Sequence, residues 1–168
     1  MQDLEALGSK AGNLLKQRGE RIAIAESSTG GLISAALLAV PGASNYYTAG
    51  GIIYTPRALN GLLGVSREDI QSRGLRSSSE PYAAFLAETV RTRNRVQWGL
   101  SETGAAGPTG NPYGDPPGHT CMAVAGPINK TATLRTGSAD RVQNMWAFAK
   151  SALELLVAAL EQAPPSQR

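Results

Sequence analysis

Apolar positions along the chain switch between a helical rhythm and short unbroken runs. Leu4, Leu7, Ala11, Leu14 and Leu15 recur at three- and four-residue steps, which predicts a first helix that Gly19 stops. Arg21 to Glu26, RIAIAE, is short, partly β-branched and bounded by polar residues, and predicts a strand. It runs into SSTGG and then into a helical apolar stretch from Leu32 to Val40, closed by Pro41-Gly42. After the loop PGASNYY, Ala49 to Tyr54 predicts a second strand and Pro56 to Leu63 a short helix ended by Gly64. Ser66, with Asp69 three residues on, caps a brief helix, and Ser79 with Pro81 opens a longer one to about Thr92. Val96 to Ser101 predicts a third strand, followed by a Gly/Pro-rich loop from Thr103 to Gly118. Two more strands, His119 to Ala125 and Thr131 to Thr136, flank the turn GPINK. A last helix from about Ala139 to Leu160 carries Trp146, Phe148, Leu153, Leu156 and Leu160 on one stripe.

Strands alternating with helices predict an α/β fold, a three-layer α/β/α sandwich on a mostly parallel mixed sheet, with the last two strands an antiparallel hairpin at one edge. The length of 168 residues fits one domain, taken as residues 1–162, and the end of the chain, EQAPPSQR, reads as a tail that is disordered over 163–168. Ligand sites in such sheets lie where loops leave the strand ends.

Composition narrows the function classes. A net charge of +3, from 16 Lys+Arg against 13 Asp+Glu without a basic run, gives no footprint for nucleic acid. Cys121 and His119 are the sole cysteine and histidine, which excludes a disulfide framework and Cys/His zinc sites; no metal and no cofactor are expected. No apolar run approaches the roughly 18–20 residues of a membrane span, and the first residues lack the apolar core of a signal peptide. The expectation is a soluble cytoplasmic protein without membrane partners.

Three loops compete for chemistry. Glu26-Ser27-Ser28-Thr29-Gly30-Gly31 is a strand-to-helix turn whose glycines and free helical N–H groups suit an anion such as a nucleotide phosphate, although helix capping alone explains it equally well; the lysine and spacing of a P-loop are missing. Pro41 to Tyr47 contains Ser44, followed after a strand by Tyr54. A serine there is a nucleophile only with a base and an oxyanion hole nearby, and is otherwise a turn residue. Gly104 to Gly110, GAAGPTG, is a long small-residue loop beside His119, which reads either as a structural hydrogen-bonder or as a catalyst.

Taken in order, AESSTGG, PGAS, GGIIY, SEP and GAAGPTG resemble the C-terminal domain of the competence/damage-inducible protein CinA, the nicotinamide mononucleotide deamidase family, over about Ala25 to Leu156. In the family the first motif reads A-E-S-C-T-G-G, and Ser28 stands at the cysteine position. The resemblance implies an α/β/α fold and hydrolysis of the carboxamide of nicotinamide mononucleotide to nicotinic acid mononucleotide and ammonia, by a serine helped by a tyrosine and a lysine, in a protein that self-associates as a homo-oligomer. Ser44 falls on the nucleophile and Tyr54 on the tyrosine, but Leu59 occupies the lysine position. Asp115-Pro116-Pro117-Gly118-His119 replaces the family's K-P-V-G-T. Ahead of the last helix, Asp140-Arg141 match the family's D-R only if the register shifts by one residue. Two functions stay open: an amidohydrolase acting on a small-molecule nucleotide with His119 as replacement base, or a nucleotide-binding or assembly module without hydrolysis. In the first, Glu26, Ser27, Thr29, Gly30, Gly31, Gly104 and Gly107 surround the substrate. Backbone N–H groups at Gly30, Gly31 and Gly107 would hold phosphate or oxyanion, Ser27 and Thr29 add hydroxyls, and Glu26 orients a ribose or caps the local structure.

Overall fold

Strands β1 (Ile22–Glu26), β2 (Tyr47–Ile52), β3 (Trp98–Ala105), β4 (His119–Ala125) and β5 (Lys130–Arg135) form one sheet in the order β2-β1-β3-β4-β5 in the computed structural model, which describes residues 2–164. β1 pairs in parallel with β2 and β3, whereas β3–β4 and β4–β5 are antiparallel. Helices α1 (Gln2–Arg18), α2 (Leu32–Leu38) and α6 (Arg141–Gln162) cover one face; α3 (Pro56–Leu63), α4 (Arg67–Ser72) and α5 (Glu80–Arg93) lie on the other side.

The alternation of side chains along a strand divides β1 between two cores. Ile22 and Ile24 join Leu15, Leu37, Trp98 and Leu153 under α1 and α6, while Ala23 and Ala25 join Leu59, Leu63, Leu86 and Val90 under α3 and α5. Small residues on the second face let α5 lie close on β3: a Cβ on Gly99 would collide with the carbonyl oxygen of Ala87, and Ser101 Oγ donates to Ala83 O at 2.6 Å. Trp98, fully buried, donates its indole N–H to Glu20 at 2.6 Å.

Two predicted strands are corrected. β2 begins and ends two residues earlier than expected, since it is aligned by β1, with Ile22 opposite Tyr47 and Glu26 opposite Ile52; Tyr54 therefore lies beyond the strand. β3 runs four residues past Ser101, because β4 pairs with it as far as Ala105 opposite His119. Glu161 and Gln162, read as tail, complete the last turn of α6, and the carbonyls of Ala163 and Pro164 accept from Arg18 at 3.4 and 2.7 Å. Residues 165–168 of the predicted tail lie outside the described residues. Among the described residues no helix is long and apolar enough to cross a membrane, and no group of three or more His, Cys, Asp and Glu is placed to hold a metal ion.

Candidate functional site

β1 ends at Glu26, and the chain turns through Ser27 to Gly31 into α2, with Gly30 and Gly31 at φ +63° and +99°, where a side chain would be strained. The first N–H groups of a helix have no intrahelical acceptor, and its dipole favours an anion there. Glu26, 1% exposed, is that anion. It accepts from the N–H groups of Gly31 (3.0 Å), Ile33 (3.0 Å) and Ser34 (2.7 Å) and from the Thr29 hydroxyl (2.8 Å). Glu102, fully buried on β3, accepts from the N–H groups of Ser27 (3.2 Å) and Thr29 (3.0 Å) and from the hydroxyls of Ser28, Thr120 (2.8 Å) and Thr29 (3.1 Å).

The expected phosphate site at this turn is thus occupied from within. Gly31 N–H is spent on Glu26, Gly30 N–H on the Ser27 carbonyl at 3.2 Å, and Thr29 is fully buried. Of the two roles open to Glu26, the geometry gives the cap. Ser28, at the family's cysteine position, has a carboxylate for its hydroxyl in Glu102.

At the same end of the strands a cleft of about 680 Å³ opens between α3, α4 and the end of β3. Ile53, Leu59, Ile70 and Leu75 supply its apolar lining; Tyr54, Arg67, Arg76 and Tyr113 supply aromatic rings and cations. Ser27 and Gly104 reach it as well. Arg76 is fixed by Asp115, with Nη1 at 2.5 Å and Nη2 at 3.4 Å, and lies 5.6 Å over the Tyr113 ring. Asn111 Nδ2 also donates to Asp115, at 2.8 Å.

The Arg76 hydrogen bonds hold the Asp115 carboxyl below the usual carboxylate range, with Asn111 adding to the effect and partial burial opposing it. A depressed carboxylate contributes stability above its unfolded value, near 3.9, and loses it as pH falls through the lower folded value. The 106–118 loop is therefore expected to stay closed from about pH 5 to 8 and to loosen below about pH 4, seen as faster amide exchange; in Arg76→Gln that pH dependence should shrink.

The expected catalytic residues divide between opposite ends of the strands. Tyr54, 57% exposed, stands at the rim of the cleft, and its hydroxyl accepts from Arg141 Nη2 at 3.0 Å. Arg141 Nη1 donates to the Gly107 carbonyl at 2.7 Å, while Asp140 caps α6 by accepting from Gln143 N–H at 3.0 Å. Gly107, at φ +113°, packs against Ala139, and Gly104 has no room for a Cβ, which would lie 2.6 Å from His119 O.

Ser44 lies exposed in a 3-10 turn, Ala43–Asn45, ahead of β2, where its carbonyl accepts from Arg21 at 3.1 Å. The strands register Tyr47, Ile22 and Trp98 on one line, and from Trp98 to Ala105 β3 advances about 23 Å toward His119, Ala105's partner. Ser44 is on the far side of that line, so one chain does not bring Ser44 to Tyr54 or His119. His119, 4% exposed, has Nε2 2.9 Å from the Ser78 carbonyl, which only accepts, so Nε2 carries the hydrogen. Its Nδ1 is buried without a partner among the described residues. Leu59, 4% exposed, packs with Ile53, Leu63 and Tyr82.

Glu102, Arg76, Ser78 and the Tyr54 contact of Arg141 were not found in the sequence. An acid inside the otherwise small and apolar run WGLSETGA was a readable signal for Glu102, since unpaired carboxylates are rarely buried. The others become neighbours only through the fold.

A family model described as the CinA C-terminal domain matches residues 4–160. CinA-like proteins of Anaeromyxobacter sp. (strain K) and Nostoc sp. (strain PCC 7120) are 42% and 38% identical, over 87% and 78% of this chain but only 35% and 30% of theirs. The chain spans about a third of the length of these curated relatives. Among solved structures, the competence/damage inducible protein CihA from Agrobacterium tumefaciens superposes with a TM-score of 0.84 at 31% identity, over 95% of this chain and 96% of that one. A competence-damaged protein (CinA) superfamily protein from Escherichia coli gives 0.83 at 28% identity, over 92% and 88%.

Proposed function

The chain belongs to the CinA C-terminal domain family, and from that premise we propose that its cleft binds a pyridine mononucleotide without carrying out the family's serine–tyrosine–lysine hydrolysis. The observation that carries the reading is the pairing of Arg67 and Arg76 with Tyr54 and Tyr113 around one cleft. Guanidinium groups match a phosphate in charge and geometry, and aromatic rings offer a flat apolar surface to a heterocycle. Loss of hydrolysis is supported by Leu59, whose aliphatic side chain accepts no proton, and by the separation of Ser44 from Tyr54. The proposal takes the protein to be cytoplasmic.

One observation favours hydrolysis instead: Tyr54 is fixed at the cleft by Arg141. That reading needs Ser44 delivered by a second copy of the chain and a proton acceptor other than Leu59. A proton NMR time course of nicotinamide mononucleotide with the protein decides between them. Broadening of the ligand lines with no new ring signals is expected. Nicotinate-ring signals that Ser44→Ala fails to produce establish hydrolysis and overturn the binding reading; neither broadening nor conversion overturns both.

A further inference from the structure

Ser78, between α4 and α5, has φ +57°, in the left-handed region where a non-glycine residue is strained by roughly 1–2 kcal/mol. Arg95, the other such residue, sits exposed in the turn that ends α5, an ordinary place for this conformation. Ser78 is only 4% exposed, and three side chains converge on its backbone. Its N–H donates to Thr103 Oγ1 at 3.3 Å, and its carbonyl accepts from His119 Nε2 at 2.9 Å and Cys121 Sγ at 3.4 Å. β3 and β4 thereby hold the strained residue in place. Its own hydroxyl makes no hydrogen bond with the described residues, and the residue lines the cleft beside Ser27, Thr103 and Gly104. Glycine would take this backbone shape without strain, so what serine adds here is an unpartnered hydroxyl at a wall of the cleft.

Resting on the mononucleotide reading above, we propose that the Ser78 hydroxyl is a specificity-determining contact to the carboxamide of the bound nucleotide, with His119 and Thr103 as positioning residues. A hydroxyl is one donor and an acceptor, as a primary carboxamide is both, whereas Arg67 and Arg76 suit the phosphate end. In this arrangement His119 has its role in the carbonyl bond to Ser78 rather than as a base for Ser44.

The test titrates the protein, Ser78→Gly and Ser78→Ala with nicotinamide mononucleotide and, separately, with ribose 5-phosphate, alongside thermal melting of each. Ser78→Gly is expected to melt at or above the parent, since the strain is relieved, and to bind nicotinamide mononucleotide about 5–10-fold more weakly with ribose 5-phosphate unchanged. Ser78→Ala keeps the strain and is expected to lose the same affinity. Unchanged affinity for nicotinamide mononucleotide in Ser78→Gly overturns the contact, and equal weakening toward both ligands overturns its assignment to the carboxamide. A parent that binds no nicotinamide mononucleotide overturns the mononucleotide reading and this inference with it.

Discussion

Glu26→Leu is expected to lower the stability of the fold by about 4–5 kcal/mol, and Glu26→Gln by about 2–3 kcal/mol. Leucine removes the acceptor of three backbone N–H groups and one hydroxyl at a position that is 1% exposed; the Thr29 hydroxyl still has Glu102, but the Gly31, Ile33 and Ser34 N–H groups lose their partner. Glutamine retains an oxygen for Gly31, Ile33 and Thr29 on the Oε2 side but turns an amide N–H₂ toward Ser34 N–H, and it removes the charge that complements the helix dipole. Urea denaturation measures both. The thermal midpoint of the leucine variant should fall by about 8–20 °C for a chain of this size. If Glu26 instead served a ligand, both substitutions would leave unliganded stability within about 0.5 kcal/mol of the parent.

Gly99→Ala is expected to cost about 3 kcal/mol, large for a single methyl group. The added Cβ meets the Ala87 carbonyl oxygen, which belongs to the backbone of α5 and has no rotamer by which to move aside, and it approaches Arg91 Cβ at 2.9 Å. Relief requires α5 to lift from β3, stretching the 2.6 Å bond from Ser101 to Ala83. Gly61→Ala in α3 is the control: nothing lies within 4 Å of its Cβ, so the substitution should be neutral or stabilise by about 0.5–1 kcal/mol through helix propensity. Equal melting temperatures for the two variants would show that α5 is not seated on Gly99.

The contrast between these glycines marks what one sequence can reveal. α3 and α4 match their predicted positions because their signals are local. The Thr55 side chain accepts from Ala58 N–H at 3.1 Å, Gly64 ends α3 at φ +56°, and Ser66 and Asp69 form the reciprocal capping box expected from their spacing. β2 and β3 were displaced because strand limits are set by partners distant in sequence, β1 for the one and β4 for the other. The site divides in the same way. Tyr54 and Gly104 could be read from loops that leave strand ends, and both line the cleft. The two roles of Glu26 could not be separated by sequence, since a carboxylate at the end of a strand suits either, and the N–H groups that fix its role belong to the next helix. Arg141 meets Tyr54 across 87 positions of chain, and Ser78 meets His119 across 41.

Thr29 has one hydroxyl hydrogen, yet its Oγ1 stands 2.8 Å from Glu26 and 3.1 Å from Glu102, so the start of α2 and the middle of the sheet share a single donor. Amides in the first turn of a helix ordinarily exchange with solvent early, because nothing within the helix holds them. Here those of Ile33 and Ser34, together with the N–H groups of Ser27, Thr29 and Gly31 in the turn that leads into the helix, are fastened to carboxylates rooted in β1 and β3. The mouth of the helix is therefore expected to open together with the central strands, its amides exchanging late rather than early.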